Sequence, residues 1–147
     1  MPNCLLAMRP WLSTRPSCAT FEVNCARGEH TDGADDKSLN DLLGRLNPRE
    51  LKAIVFSGCR NLHIPSRIQT FSALEMLKIY NSTVHVWDQS AELRDDLHRE
   101  LMFLFVGDSN FTDGQLPVGV RGKHFPTSLV DVEFSGTNLV GLPGDLH

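Results

Sequence analysis

Six histidines and four cysteines are the groups in this chain best suited to metal or covalent chemistry, and their spacing decides how much of that chemistry is open. His98 begins His98-Arg99-Glu100-Leu101-Met102, which lacks the second histidine that a helical zinc-protease site requires. His63 and His85 occupy near-equivalent positions along the chain, so they could lie side by side. A shared metal would need a third ligand, and none is supplied nearby, so both read as solvated loop residues. The acidic run Asp32 to Asp36 lacks the alternating spacing of a calcium loop and reads as a solvated loop as well. There is no G-x-S-x-G, no phosphate-binding glycine loop and no G-x-G-x-x-G. The expectation is no enzyme, no catalytic residues, no metal and no cofactor.

The cysteines point to a compartment. Cys4, Cys18 and Cys25 fall within the first 25 residues and form no C-x-x-C, which argues against a zinc ribbon or a thiol-exchange site. They are disulfide candidates in an oxidising environment, the alternative being three reduced thiols. Two N-x-S/T sequons, Asn81-Ser82-Thr83 and Asn110-Phe111-Thr112, offer Asn81 and Asn110 as glycosylation sites at equivalent places, although Asn81 stands next to a residue expected to be buried. Net charge is −4 without a basic run, so nucleic acid and anionic membranes are poor partners. No stretch of 18 apolar residues spans a membrane, and the interrupted N-terminal text is not a signal peptide. Any membrane attachment would come from segments outside this chain.

The elements that must position these groups follow from one pattern. In Leu51 to Pro65, apolar residues at Leu51, Ile54 and Phe56 lead to Cys59 and then to Leu62, Ile64 and Pro65. The same order recurs as Leu74, Leu77, Ile79 and Ser82, then Leu101, Leu104, Val106 and Ser109, then Leu129, Val132, Phe134 and Thr137, at spacings of 23, 27 and 28 residues. Twelve apolar slots are all filled in a chain that is 41% apolar. Each L-x-L core predicts a short strand with period-2 burial. The slot of Cys59, Ser82, Ser109 and Thr137 predicts a turn residue bonding to the backbone, so Cys59 is expected to be a buried turn residue and not a disulfide partner. Between strands, Ile64-Pro65, Leu116-Pro117 and Leu142-Pro143 begin return segments. Asp88 to Leu101 predicts an amphipathic helix through Leu93, Leu97 and Leu101, and the glycine-rich third return reads as loop. Before the array, Phe21 and Val23 predict a short strand, residues 27–37 a loop, and Ser38 the N-cap of a helix through Leu39, Leu42, Leu43 and Leu46.

Over residues 51–147 the chain resembles the leucine-rich-repeat superfamily. Arg9-Pro10-Trp11, Cys18, Asn24-Cys25 and Ile79-Tyr80-Asn81-Ser82-Thr83 are, more narrowly, similar to the ectodomains of oomycete leucine-rich-repeat membrane proteins. The resemblance implies an α/β fold: a short solenoid with a parallel β-sheet on its concave face and helices or loops on its convex face. Residues 1–50 would form an N-terminal cysteine-containing cap, and residues 51–147 four repeats of an array expected to be truncated. It further implies an extracellular or cell-surface, membrane-associated glycoprotein, receptor-like in role.

The strand residues between the buried ones line up in columns: Ala53, Met76, Phe103, Asp131; then Val55, Lys78, Phe105, Glu133; then Ser57, Tyr80, Gly107, Ser135. Met76, Tyr80, Phe103 and Phe105 are large apolar or aromatic groups where water is expected. Beside the charges of Lys78, Asp131 and Glu133, and with Val55, they predict a concave surface that binds a protein or peptide. The expected function is non-catalytic recognition outside the cell. The alternative is a cytoplasmic adaptor or scaffold array.

Overall fold

A computed structural model describes residues 3–8, 17–27 and 36–140. The Arg9-Pro10-Trp11 motif, most of the 27–37 loop, the Asp32–Asp36 run up to its last residue and the Leu142-Pro143 return lie outside them.

The chain is α/β, with a mostly parallel sheet and few helices. Strands β1 (Cys4–Met8), β2 (Ser17–Asn24) and β3 (Ala53–Ser57) are followed by the two-residue β4 (Leu62–His63), then β5 (Met76–Tyr80) and β6 (Thr83–Val86). After these come β7 (Phe103–Gly107), β8 (Asn110–Phe111) and β9 (Asp131–Ser135). The larger sheet has the order β1-β2-β3-β5-β7-β9 and the smaller one β4-β6-β8. Among the described residues only the β1–β2 pair is antiparallel.

Register follows from the apolar pattern, because a one-residue slip would turn every core side chain outward. Ile54 pairs with Leu77, Leu77 with Leu104, and Leu104 with Val132. The amide of Glu75 donates to Lys52 O at 2.7 Å, that of Met102 to Glu75 O at 2.8 Å, and that of Val130 to Met102 O at 2.9 Å. Equivalent residues are therefore linked across each step of the repeat. The series starts one strand earlier than the sequence pattern predicts. Lys52 N–H donates to Ala19 O at 2.8 Å, and β2 runs parallel to β3 from Thr20↔Ala53 to Asn24↔Ser57. Phe21 and Val23 are thus the first inward pair, packed with Ile54 and Phe56 in one continuous core.

Each strand of the array ends in the same turn. Gly58 (φ +66°), Asn81 (+50°), Asp108 (+46°) and Gly136 (+62°) are equivalent residues, all left-handed. Glycine takes this conformation freely, and Asn and Asp tolerate it better than most residues. The next residue carries the turn's side-chain bond. Ser82 Oγ accepts from Cys59 N–H at 3.1 Å and donates to Tyr80 O at 3.0 Å. Ser109 Oγ repeats this with Ser82 N–H at 3.1 Å and Gly107 O at 2.8 Å. In the last copy the side chain of Asn138, one residue on, makes a different pair of bonds, accepting from Phe111 N–H at 2.8 Å and donating to Phe111 O at 2.9 Å.

Cys59 departs from its expected role. It is fully buried, as a turn residue should be, but its sulfur is bonded to Cys25. Cys4 is bonded to Cys18 across β1 and β2. Because β2 lies beside β3, the end of β2 reaches the turn after β3, with a Cα–Cα separation of 4.9 Å between the two cysteines. The sequence marks a strand at Phe21 and Val23 but not its parallel pairing with β3.

The opposite side of the core is built from helix α1 (Asp36–Leu43) and three 3₁₀ turns, Ser66–Thr70, Gln89–Ala91 and Val118–Val120. Leu39 and Leu43 of α1 are fully buried. Ser38 lies inside the helix rather than at its cap, because the helix already includes Asp36. Asn40 Oδ1 accepts from Arg67 N–H at 2.8 Å, tying α1 to the first 3₁₀ turn.

The helix expected over Asp88 to Leu101 does not form. Asp88 caps a single 3₁₀ turn, and Glu92 then becomes extended (ψ 134°). Leu93 N–H leaves the segment to donate to Gly119 O at 2.8 Å. Leu93 and Leu101 are buried, as a helix would have buried them. The neighbouring return segment, however, takes the backbone bonds that a helix would have kept. Inside that return, Gly119 sits where a Cβ would overlap the Trp87 ring, and Gly122 where it would overlap the Glu92 carboxylate. The third return is a loop, as the sequence suggests, with a single 3₁₀ turn that these glycines allow to pack closely.

Candidate functional site

The inward strand residues leave the alternate residues on the outer face of the large sheet. Pairing aligns Met76 with Phe103, and Phe103 with Asp131. It also aligns Lys78 with Phe105, Phe105 with Glu133, and Tyr80 with Gly107. The three columns expected from the sequence are therefore adjacent in space. β2 extends them by Thr20, Glu22 and Asn24, paired with Ala53, Val55 and Ser57. These residues were missed as part of the face. The signal for them was present as Cys18-x-x-Phe21-x-Val23, with a cysteine in the first apolar slot.

Met76, Tyr80, Phe103, Phe105 and Asp131 are half-buried, while Lys78 and Glu133 are exposed. The Phe103 and Phe105 rings are near-parallel, 15° apart with centroids 6.0 Å from each other. Lys78 Nζ lies 5.1 Å from the centre of the Tyr80 ring, a cation–π contact. Asn24 Nδ2 donates to Glu22 Oε1 at 3.2 Å. Val55 corrects the expectation. Only 6% exposed, it is a short side chain set between Glu22 and Lys78 in register, and it contributes little accessible surface. Ala53 and Ser57 are buried too. Among the described residues of this face, the accessible aromatic side chains stand on β5 and β7, flanked by the carboxylates of β9.

A second feature lies along the turns at the end of the sheet. A polar cleft of about 350 Å³ is lined by Gly58, Arg60, Asn81, Thr83, Asp108 and Asn110 among others. Both sequon asparagines border it, and both are exposed. The crowding expected at Asn81 is absent because the left-handed turn points Ser82 inward, where it is buried, and leaves Asn81 outside.

The histidines separate into two environments. His63 and His85 do meet, with rings stacked at 5.3 Å between centroids. His85 Nδ1 bonds Thr112 Oγ1 at 3.0 Å, whereas His63 Nε2 is buried without a hydrogen-bond partner. His98 is fully enclosed. Its Nδ1 accepts from Arg94 N–H at 3.0 Å and its Nε2 donates to Ile68 O at 3.0 Å, so the ring is a neutral strut between two return segments. Burial pushes its pKa down, and its two backbone bonds oppose that shift. Nearby, backbone and side-chain bonds from Thr127 hold Asp95 below the usual carboxylate range. Among the described residues, no three His, Cys, Asp or Glu side chains are grouped so as to hold a metal ion, and no helix is long and apolar enough to cross a membrane.

No protein-family model, characterised protein or solved structure matches the chain.

Proposed function

We propose that the chain is a leucine-rich-repeat recognition module, a short solenoid whose outer sheet face binds a segment of another protein without chemical change. The observation that carries this reading is the register that sets Met76, Tyr80, Phe103 and Phe105 side by side on the face turned away from the core. Contiguous apolar surface of this kind, rimmed by charge, is typical of interfaces. A hydrogen-bonded sheet holds such groups in place before binding, so little ordering cost falls on association.

The two disulfides favour an oxidising compartment, and the exposed sequons support a secreted or cell-surface glycoprotein over a cytoplasmic adaptor. Expression through a eukaryotic secretory pathway, followed by intact-mass analysis, tests the location. Glycan on Asn81 or Asn110 with no free thiol is the expected result, and secretion of a fully reduced, unglycosylated chain counts against it. Binding is tested by selecting a random-peptide display library against the chain. Selected peptides should lose affinity on Met76→Ala or Tyr80→Ala; peptides indifferent to both variants would place recognition elsewhere.

A further inference from the structure

Charge is distributed unevenly over the outer face. Asp131 and Glu133 of β9 stand in register beside Phe103 and Phe105 of β7. Neither carboxylate is in an ion pair among the described residues, where the three ion pairs are Lys52–Glu75, Arg94–Glu92 and Arg94–Asp96. The nearest cation on the face, Lys78, is on the far side of Phe105 and is drawn over Tyr80. Adjacent strands lie about 4.8 Å apart, so a cation resting on either phenylalanine ring is within reach of the carboxylate next to it.

On the reading that this face binds a protein segment, we propose that Phe103, Phe105, Asp131 and Glu133 form a subsite for an arginine side chain of the partner. The ring pair offers flat π-surface, and the strand beside it offers uncompensated negative charge. A guanidinium satisfies both at once, because it is planar, weakly hydrated, stacks on aromatic faces and pairs with a carboxylate through two parallel N–H donors. A lysine ammonium can make the charge contact but cannot stack as a plane. An acidic partner would meet repulsion from both carboxylates.

The random-peptide selection described above, carried out on the full chain, tests this subsite separately from the face as a whole. Peptides that depend on the face should be enriched in arginine. Replacing that arginine by alanine should weaken binding at least tenfold, and by lysine several-fold. Asp131→Asn with Glu133→Gln should weaken the arginine peptide at least tenfold while leaving its alanine version within about twofold, the pattern of direct coupling. Peptides that need Met76 and Tyr80 but carry no arginine, or whose arginine is indifferent to substitution, overturn the subsite and leave the recognition face standing. Peptides that ignore the face, or a selection that yields none, overturn both. The peptide substitutions are read on the unaltered chain, so the answer does not depend on the variants folding.

Discussion

Asn81 and Asp108 hold the left-handed turn between strand and return, where their equivalents are glycines. A β-branched residue is strained there, by about 1–2 kcal/mol. Asn81→Val should therefore lower the urea midpoint by a matching amount, and Asn81→Gly should not lower it, as equilibrium unfolding would show. His98 gives a second prediction at this scale. Its folded pKa is pushed down by burial, while in the unfolded chain it titrates near the ordinary value of about 6.5. Above that pH both states are neutral and the full stability is present. As pH falls below it, the unfolded chain takes up the proton first and stability is lost. His98→Ala should cost about 2–4 kcal/mol through the cavity and two unpaired backbone groups. It should also flatten the decline between pH 7.5 and pH 5, measured by urea unfolding at both.

The strands β3, β5, β7 and β9 were legible in the sequence, while β1, the short strands β4, β6 and β8 and the form of the 88–101 segment were not, for a physical reason. A strand's period-2 burial is written in its own residues: Leu77 and Ile79 face the core wherever the chain pairs, so the columns from Ala53 to Ser135 could be set out in advance. A return segment answers to its neighbour. Leu93, Leu97 and Leu101 have helical spacing, but Leu93 N–H bonds Gly119 O and the helix is lost. The same dependence hid not the strand marked by Phe21 and Val23 but its place beside β3, and with it the Cys25–Cys59 bond. Two element-scale predictions follow from these contacts. Gly119→Ala forces a methyl group into the Trp87 ring, so overpacking should cost about 1–3 kcal/mol and shift the Trp87 fluorescence. Replacing Cys25 and Cys59 by serine releases a loop closed over 34 residues. By chain entropy this should cost about 3–4 kcal/mol, seen as a lower melting temperature under non-reducing conditions.

At the scale of the whole molecule, one core runs from Phe21 through Val106 and Phe111. Its last layer differs from the rest: Leu129, Val132, Phe134 and Leu139 are only partly buried, whereas Leu101, Leu104, Val106 and Phe111 one step earlier are buried. With these side chains only partly buried, β9 should exchange its amides faster than β7. The carboxylates of the arginine subsite stand on that strand, and ligand binding should slow its exchange by stabilising the bound state. Recognition is proposed for the outer face of β5, β7 and β9. Hydrogen exchange of the full chain with and without a selected peptide tests it most directly. Slowed exchange over 76–80, 103–107 and 131–135 is expected, with no change along the returns at 88–101 and 116–125. Protection confined to those returns, or to the polar cleft around Asn81 and Asn110, would contradict it.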